Sequence, residues 1–503
     1  MTNTSPRYAD WKAPAADGQI LIWPRADALP DLARRNAEHF NESSGLLIQN
    51  VPLPQLRLEA RAVISQPLDA ALIATGHQVE LYHPGVWVKD VLAHTLAAKL
   101  QGKAYHFAVD TDAPKHLHLR WPGGSEPLTD DPRITTAAYA NVLQGPTPAH
   151  LRHIMHRFSE AATQWNFTPS IGSFVEAMRI AAVGERRLAM DLTGALHATD
   201  WDMGLRYDSL VVSPLWSSLP YLTLAHHLLA RPGEFAGEYN GVLREYRRAH
   251  GIRTAARPMP NLWGISGEVE TPFWLDDLSK EARARLTVRS DGGNAYLTSP
   301  GGEQFSFNPN LDGHAAAAEL QGFCRRNHLS ITPRAITLTM YFRMLLADLF
   351  IHGIGGGRYD QVTDEVVGRF FGFQLPPFAV TTATMYFPTV ARRQRIDLSP
   401  LLQEGRRIRH GALDLDKRSM VARIEALPRG SSRRQDLFLH MHARLAADSN
   451  SPAARDWEQR LLDAERKSLA ERALFDRELF FAIQPRDRLA GMIQRYAESV
   501  VSS

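Results

Sequence analysis

The sequence predicts an α/β protein with a doubly wound, mainly parallel sheet. Three observations lead to this class. Short apolar runs alternate with helical patterns near both ends of residues 70–392, the stretch between them is mostly helical, and the chain after about Arg392 is charged and helical. We therefore expect a sheet interrupted by a helical insertion and followed by an antiparallel helical coiled-coil arm.

These patterns divide the chain into five segments. They are the first half of the core at 1–130, the helical insertion at 131–251, a loop-rich covering segment at 252–332, the second half of the core at 333–392, and the arm at 393–503.

The composition excludes several classes of protein. The 503 residues carry a formal net charge of +3, which is too small to predict nucleic-acid binding. The single cysteine, Cys324, excludes an intramolecular disulfide and any multi-cysteine metal site. The sequence shows neither a signal-peptide pattern nor an apolar run of membrane-spanning length. We expect a soluble, cytoplasmic protein with no membrane partner.

The first half of the core is predicted to be a β–α–β unit. Ala71–Ala74 is a short apolar run typical of a buried parallel strand, and Thr75–Gln78 breaks it. Pro84 opens a helix whose apolar residues recur at helical spacing, and Gly102 ends that helix. Tyr105–Val109 is the next strand. The carboxyl ends of both strands should meet at one edge of the sheet.

Histidines flank the turn before the helix that Pro84 opens. His77 and His83 are the candidate catalytic residues there. Gln78 is a candidate for binding a substrate amide, ribose or base. The alternative is that one histidine caps the loop, the other is half-exposed, and Gln78 bonds the loop backbone.

Two carboxylates follow the second strand. Asp110 and Asp112 are the other candidate catalytic residues, since doubly wound folds bind ligands at the carboxyl ends of their strands. They could share a magnesium ion through waters, hold a substrate amine, or supply a general base. The alternative is loop capping, which is common for aspartate after a strand. No residue is assigned as a direct metal ligand.

The second half of the core contains the stretch Leu349–Gly372, LFIHGIGGGRYDQVTDEVVGRFFG. It predicts a strand, a glycine loop and a helix, an arrangement that aims backbone N–H groups at an anion. It is neither a Walker A loop nor G-x-G-x-x-G, because Arg358 stands where the last glycine should be. The alternative is a tight turn without a ligand. The candidate binding residues are His352, Gly353, Gly355, Gly356, Gly357, Arg358, Tyr359 and Asp360.

Arg358 and Asp360 have specific expected roles. Arg358 can bind a phosphate or carboxylate through two parallel hydrogen bonds. Asp360 could orient that arginine or bind a metal, or it could cap the following helix.

The segment Thr75–Gln78, with the unit that follows it, resembles the T-G-Q-Q segment of the bacillithiol biosynthesis cysteine-adding enzymes. His77 stands at the first glutamine of that motif. The acidic strand end Asp110–Asp112, the helical insertion, the late glycine loop and the helical arm are similar too. The resemblance implies a Rossmann-like core related to class I nucleotidyl-transferring and aminoacyl-ligating enzymes, in a divergent branch. His83–Val86 is also similar to their H-x-G-H motif, with valine at the last position. This similarity implies that His83 and His77 contact a phosphate at a helix N-terminus and stabilise charge in the transition state.

The leading functional hypothesis is an enzyme that condenses or activates a small carboxylate- or amine-bearing metabolite by C–N ligation or nucleotidyl transfer. The expected cofactor is ATP or another nucleotide with magnesium. The expected partners are a small-molecule substrate and, through the C-terminal helices, a second copy of the chain. One alternative is a non-catalytic nucleotide- or metabolite-binding scaffold. Another is a metal-dependent hydrolase that uses Asp110 and His77.

Overall fold

The computed structural model describes residues 11–66, 70–254, 256–291, 294–388, 397–410, 414–449, 452–472 and 474–501. The chain divides into two compact units, Met1–Met385 with Arg477–Ser503, and Tyr386–Asp476. The predicted arm therefore coincides only partly with the second unit, because the chain from Arg477 onward packs with the first. No helix of the described residues is long and apolar enough to cross a membrane.

The strands of the described residues follow in chain order. They are β1 (Ile20–Trp23), β2 (Leu47–Ile48), β3 (Val51–Pro52), β4 (Leu72–Gln78), β5 (Lys103–Val109), β6 (His118–Trp121), β7 (Gly124–Pro127), β8 (Asp208–Val211), β9 (Gly264–Ile265), β10 (Glu268–Asp277), β11 (Ala282–Asp291), β12 (Asn294–Thr298), β13 (Gln304–Phe307), β14 (Leu329–Pro333), β15 (Leu349–His352) and β16 (Ala379–Ala383).

The α-helices of the described residues lie between and after these strands. They are α1 (Leu29–Asn41), α2 (Leu53–Val63), α3 (Pro84–Leu100), α4 (Pro148–Ala162), α5 (Gly172–Ala181), α6 (Leu188–Asp202), α7 (Leu219–Leu229), α8 (Pro232–Ala249), α9 (Gly313–Arg326), α10 (Ala335–Tyr341), α11 (Ile354–Phe371), α12 (Ser399–His410), α13 (Asp414–Glu425), α14 (Ser432–Ser449), α15 (Pro452–Arg472) and α16 (Arg486–Val501).

The largely parallel sheet has the strand order β1-β16-β15-β4-β5-β8. Strands β4, β5, β8, β15 and β16 run parallel, and β1 is an antiparallel edge strand. The prediction of an α/β protein with a mainly parallel sheet is confirmed. From β4 the chain builds outward through β5 and β8, and it later returns to the other side of β4 through β15 and β16. The strand order therefore reverses between β4 and β15.

The segment 131–251 is not only a helical insertion. Its strand β8 pairs in parallel with β5 and extends the sheet. This strand was missed because its four residues, Asp208–Val211, alternate too briefly to give a strand pattern. Helix α6 was missed as well, since its hydrophobic residues do not form a clear stripe.

The covering segment also forms more regular structure than expected. Strands β10 to β14 make an antiparallel sheet in the order β13-β12-β11-β10-β14, and β9 pairs with β10. The pairing of β10 with β11 is interrupted between Glu270 and Trp274. An irregularity of this kind bends a strand and redirects its side chains.

A closed ion cluster anchors the amino-terminal end of β15. Asp348 accepts from Arg57 at 2.8 Å and lies 2.6 Å from Arg61, and all three side chains are buried. Its other oxygen accepts from the N–H of Leu72 at the start of β4, at 2.8 Å. The backbone carbonyls of Met344, Leu346 and Ala347 accept further hydrogen bonds from these two guanidinium groups. The two central strands are thus joined at this end by satisfied charges.

Helices α12 to α15 form most of the second unit. Met420, Ile424 and Met441 make an apolar cluster between α13 and α14. Trp457 donates to the carbonyl of Leu401 at 2.7 Å, and one turn further along Arg460 bonds Glu404 at 2.6 Å.

Candidate functional site

A cleft of about 550 Å³ lies at the carboxyl ends of β4 and β15. Gly76 and His77 at the end of β4 line one part of it, and His352 at the end of β15 lines another. This is the point where the strand order reverses. In open parallel sheets the two connecting chains diverge at such a point and leave a crevice.

The histidine turn forms one wall of the cleft. His83 is the N-cap of α3, and its Nδ1 accepts a hydrogen bond from the N–H of Gly85 at 3.0 Å. Gly85 has to be glycine, because a Cβ there would lie 2.6 Å from Thr382 Oγ1. The amino terminus of α3 therefore packs directly against β16, and both contribute to the cleft lining.

The glycine motif forms the opposite wall, in a form that corrects the sequence prediction. Gly353 is the N-cap of α11, so Gly355, Gly356 and Gly357 occupy the first turn of that helix and not a loop. A helix start leaves its first N–H groups without intrahelical partners. A loop was predicted because consecutive glycines disfavour a helix, but here the first turn is held by neighbouring strands.

The three glycines differ in their surroundings. A Cβ at Gly355 would meet nothing within 4 Å, whereas a Cβ at Gly356 would lie 2.8 Å from His352 Nδ1. At Gly357 a Cβ would lie 2.6 Å from Val380 and 2.8 Å from Trp11. Gly355 and Gly356 line the cleft, while Gly357 lets the helix pack on β16.

Four cations line the cleft, and no aspartate or glutamate is found among its described lining residues. They are Lys12, Lys89, Arg358 and Arg477. Lys89 is 2 % exposed, and its Nζ donates to the carbonyl of Gly76 at 2.7 Å. Burial lowers the pKa of Lys89 to about 8. Arg358 donates to the carbonyl of Trp11, which ties the N-terminal segment to the cleft.

The three cleft histidines are held as neutral imidazoles. Burial lowers the pKa of His77 well below its ordinary value, and the charge of Lys89 acts in the same direction. Burial and the charge of Arg477 lower the pKa of His83 to about 3. Burial also lowers the pKa of His352, although Asp360 opposes the shift. A bound anion would offset the cations and favour protonation.

His352 belongs to a buried relay behind the cleft. Its Nε2 lies 2.8 Å from Asp360 Oδ2, and the same oxygen lies 2.5 Å from Arg343. Burial raises the pKa of Asp360, but the nearby Arg343 and His352 outweigh it and hold that pKa below its usual range. Since an ionised carboxylate only accepts hydrogen bonds, Nε2 carries the proton and Nδ1 is left with its lone pair. Nδ1 lies against Gly356, on the cleft side.

The structure brings most of the predicted site residues together. The members of the predicted set that line the cleft are His77, His83, His352, Gly353, Gly355, Gly356 and Arg358. Asp360 lies behind His352, and Gly357 is packed under Trp11. Tyr359 is 46 % exposed and lies outside the cleft lining.

The carboxylates of β5 lie elsewhere than expected. Asp110 accepts from the Ser213 N–H at 2.9 Å and from its hydroxyl at 2.6 Å, and it is 1 % exposed. It therefore caps the turn after β8 and is not among the residues that line the cleft. Asp112 accepts from the Gln78 amide at 2.7 Å and lines a different cavity. Within the described residues no group of three or more His, Cys, Asp or Glu side chains could hold a metal ion.

Several lining residues were missed from the sequence. They are Trp11, Lys12, Lys89, Thr382 and Arg477. A signal existed for Lys89, because Lys89-Asp90 stands between the apolar residues 84–88 and 91–93 of α3. The same signal points to Asp90, which is 1 % exposed and bonds His106 at 2.6 Å. No comparable signal marks Lys12 or Arg477, whose approach to the cleft depends on the path of both chain ends.

The site and the sheet together define an α/β protein with a cationic cleft at the reversal of its strand order. No protein-family model matches the chain, and no curated protein matches it.

Proposed function

We propose that this chain is an enzyme that binds a nucleoside polyphosphate in the cleft and uses it to ligate or activate a small carboxylate- or amine-bearing metabolite. The resemblance to the cysteine-adding enzymes and the Rossmann-like strand order support the same reading. The proposal depends most on one observation. The cleft joins two helix N-termini to four cations and has no carboxylate among its described lining residues.

Polyphosphate fits this lining for physical reasons. The free N–H groups and the dipole at the start of a helix favour negative charge. Arginine and lysine add charge-assisted hydrogen bonds. Burial lowers the pKa of Lys89 and of the three histidines, and the charge of Lys89 lowers the pKa of each histidine further. A bound polyanion would offset the positive charges and raise these pKa values again.

A magnesium ion held by the protein does not fit the cleft. Asp110 is bonded to Ser213, Asp112 to Gln78, and Asp360 to Arg343 and His352. These three were the carboxylates expected to bind it. We therefore derive no step through a protein-bound metal.

Some residues of the cleft would stabilise negative charge, and others would accept or donate protons. Lys89, Arg358 and the start of α11 would stabilise negative charge on the phosphates as it builds up during transfer. His352 would accept a proton at Nδ1, because Asp360 fixes the ring and stabilises its charged form. Once protonated, His83 would donate to a phosphate oxygen from Nε2, because its Nδ1 lies 3.0 Å from the Gly85 nitrogen. His77 would donate from Nδ1, because its Nε2 already bonds Glu80 at 2.6 Å.

The test is a calorimetric and thermal-shift titration of ATP, ADP and pyrophosphate with the full chain. A ligand that binds only the folded state at 100 times its Kd stabilises by about 2.7 kcal/mol, so a clear rise in Tm is expected. Arg358→Ala should weaken binding by about tenfold or more, since a charged hydrogen bond contributes roughly 1.5–3 kcal/mol. No response to any of the three compounds would refute the proposal.

The matched control is Arg369→Ala. Arg369 lies on the same helix, α11, but it is not among the residues that line the cleft. Its guanidinium lies 2.5 Å from the carboxylate of Glu245. Equal losses in both variants would show that the effect comes from the helix and not from the cleft.

A further inference from the structure

The lining of a second, smaller cavity of about 240 Å³ includes Asp112, Tyr239, Met259, Pro272, Trp274 and Arg334. It is separate from the cleft lining but connected to it through one side chain. Gln78 follows the cleft residue His77, and its amide donates to Asp112 at 2.7 Å. The cavity is below the roughly 300–1,000 Å³ typical of drug-sized ligands, which indicates a small metabolite.

The walls of this cavity are built and held in place. The interruption of β10 between Glu270 and Trp274 places Pro272 and Trp274 at the cavity. The opposite wall is fixed by Tyr239, whose hydroxyl donates to the Pro260 carbonyl at 3.1 Å, and by Arg247, which donates to the Met259 carbonyl at 2.5 Å.

The two charged residues of the lining are not equivalent. The Nη1 of Arg334 donates a hydrogen bond at 2.6 Å to Glu270, which is fully buried. The guanidinium of Arg334 also lies 4.9 Å from the centre of the Trp274 ring. Glu270 also contacts Arg285 at 3.5 Å, but that side chain is about half exposed to solvent. The arginine is therefore neutralised from within the protein, by a carboxylate held in place.

Asp112 has no such cationic partner among its described hydrogen bonds. Its carboxylate takes one neutral amide proton from Gln78, and its backbone carbonyl accepts from the N–H of Ala140 at 2.8 Å. A neutral donor leaves the negative charge uncompensated. The remaining lining residues are apolar or aromatic apart from the Tyr239 hydroxyl, which is already bonded.

We infer that this cavity binds a small primary amine with an apolar body, its ammonium group on Asp112 and its carbon skeleton against Met259, Pro272 and Ile336. A carboxylate and an aromatic wall are the usual recognition elements for an organic ammonium ion. The amine is the second substrate of the reaction proposed above, and only this assignment of role rests on that proposal.

The experiment compares compounds of one carbon skeleton. Binding of 3-methylbutylamine, 3-methyl-1-butanol and 4-methylpentanoate to the full chain is measured by calorimetry and ligand-observed NMR at millimolar concentration, with L-leucine as a zwitterion. The amine should bind most tightly. Asp112→Asn should weaken the amine about tenfold or more and leave the alcohol unchanged, because the charged hydrogen bond is lost.

Two further variants keep the test decisive. Asp31→Asn removes an exposed carboxylate on α1 and should change nothing. Ala335→Phe fills the cavity at an exposed helix start, keeps Asp112, and should abolish amine binding even if Asp112→Asn fails to fold. Tighter binding of the carboxylate or of leucine than of the amine overturns the inference, and so does amine binding that survives Ala335→Phe.

The outcome is separable from that of the nucleotide titration. Loss of the amine result with ATP or pyrophosphate binding intact overturns the cavity assignment alone. Amine binding without any response to nucleotide or pyrophosphate supports the cavity and refutes the proposed function.

Discussion

Asp348, just before strand β15, and His352, at its end, are four residues apart, and the two ends of the strand are built in opposite ways. At the amino end, Asp348 is enclosed by Arg57 and Arg61, and each charge there has a partner. At the carboxyl end, His352 faces a cleft whose described lining residues include Lys89 and Arg358 but no carboxylate. One end joins the central strands, while the other keeps charge available for a ligand. Mutations at the two ends should therefore separate stability from binding.

The largest expected effect is at the closed end. Asp348→Asn should lower the free energy of unfolding by about 3–5 kcal/mol, because it leaves two buried guanidinium groups without a counter-charge. Denaturant unfolding monitored by circular dichroism measures this change. Asp31→Asn, at an exposed ion pair, is the control and should stay within about 0.5 kcal/mol. A loss below about 1 kcal/mol for Asp348→Asn would show that the cluster does not anchor the sheet.

At the carboxyl end of β15, Lys89→Met should have the opposite effect: it should not lower stability at pH 7, but it should weaken ligand binding. The folded-state pKa of about 8 lies below that of an unfolded lysine, so the folded state binds the proton less tightly. The wild type should therefore gain stability as the pH rises from about 8 to 10.5, and carry a penalty below that window. Removing the amine should abolish this rise and leave Tm at pH 7 unchanged or higher.

The same variant should weaken binding of ATP or pyrophosphate by about tenfold or more, since a charged contact is lost. Calorimetry of the variant beside wild-type protein at pH 7 and pH 9 checks both effects. A large loss of stability at pH 7 with intact binding would place Lys89 among the structural charges, like those at Asp348.

A smaller effect separates the glycines of α11. Gly357→Ala should destabilise by about 1–3 kcal/mol, because its Cβ meets Val380 at 2.6 Å and the core is already packed. Gly355→Ala should stabilise by up to about 1 kcal/mol, since its Cβ meets nothing within 4 Å and alanine favours a helix. Thermal unfolding of the two variants compares them directly. Equal destabilisation would mean that the first turn of the helix is not formed.

The smallest effect is a proton count. The cleft histidines have lowered pKa values, so they are neutral at pH 7 in the free protein. A polyanion should raise those values, and binding should therefore take up a fraction of a proton and tighten as the pH falls toward 6. Calorimetric titrations of pyrophosphate in buffers of different ionisation enthalpy measure the uptake. Release of protons by the protein at pH 7, after the protons that pyrophosphate itself loses are subtracted, would contradict the placement of the ligand beside the imidazoles.

Part of this arrangement could be predicted from the sequence. The histidine turn and the glycine motif each follow a predicted strand, and because the carboxyl ends of parallel strands share an edge, they line one cleft. Asp110 was misplaced, since a strand-end aspartate is equally suited to capping, and the hydroxyl of Ser213 lies 103 residues away. The sequence pattern gives no information about such a distant partner.

The helical state of the glycines was also beyond prediction. Local propensity argues against a helix at Gly355–Gly357, and the packing of Gly357 on Val380 and Trp11 overrides it. The ion cluster at Asp348 was missed because its partners are distant in sequence. Its arginines lie about 290 residues earlier, at helix positions that look solvent-exposed in sequence.

The reversal of strand order has a consequence for how the protein is made. The ribosome completes β4 at Gln78 and does not reach its neighbour β15 until Leu349, roughly 270 residues later. At about 5–20 residues per second, one side of β4 waits roughly 15–55 s for its partner. During that interval the backbone N–H and C=O groups on this side of β4 have no β15 to pair with, and an unpaired strand edge favours aggregation.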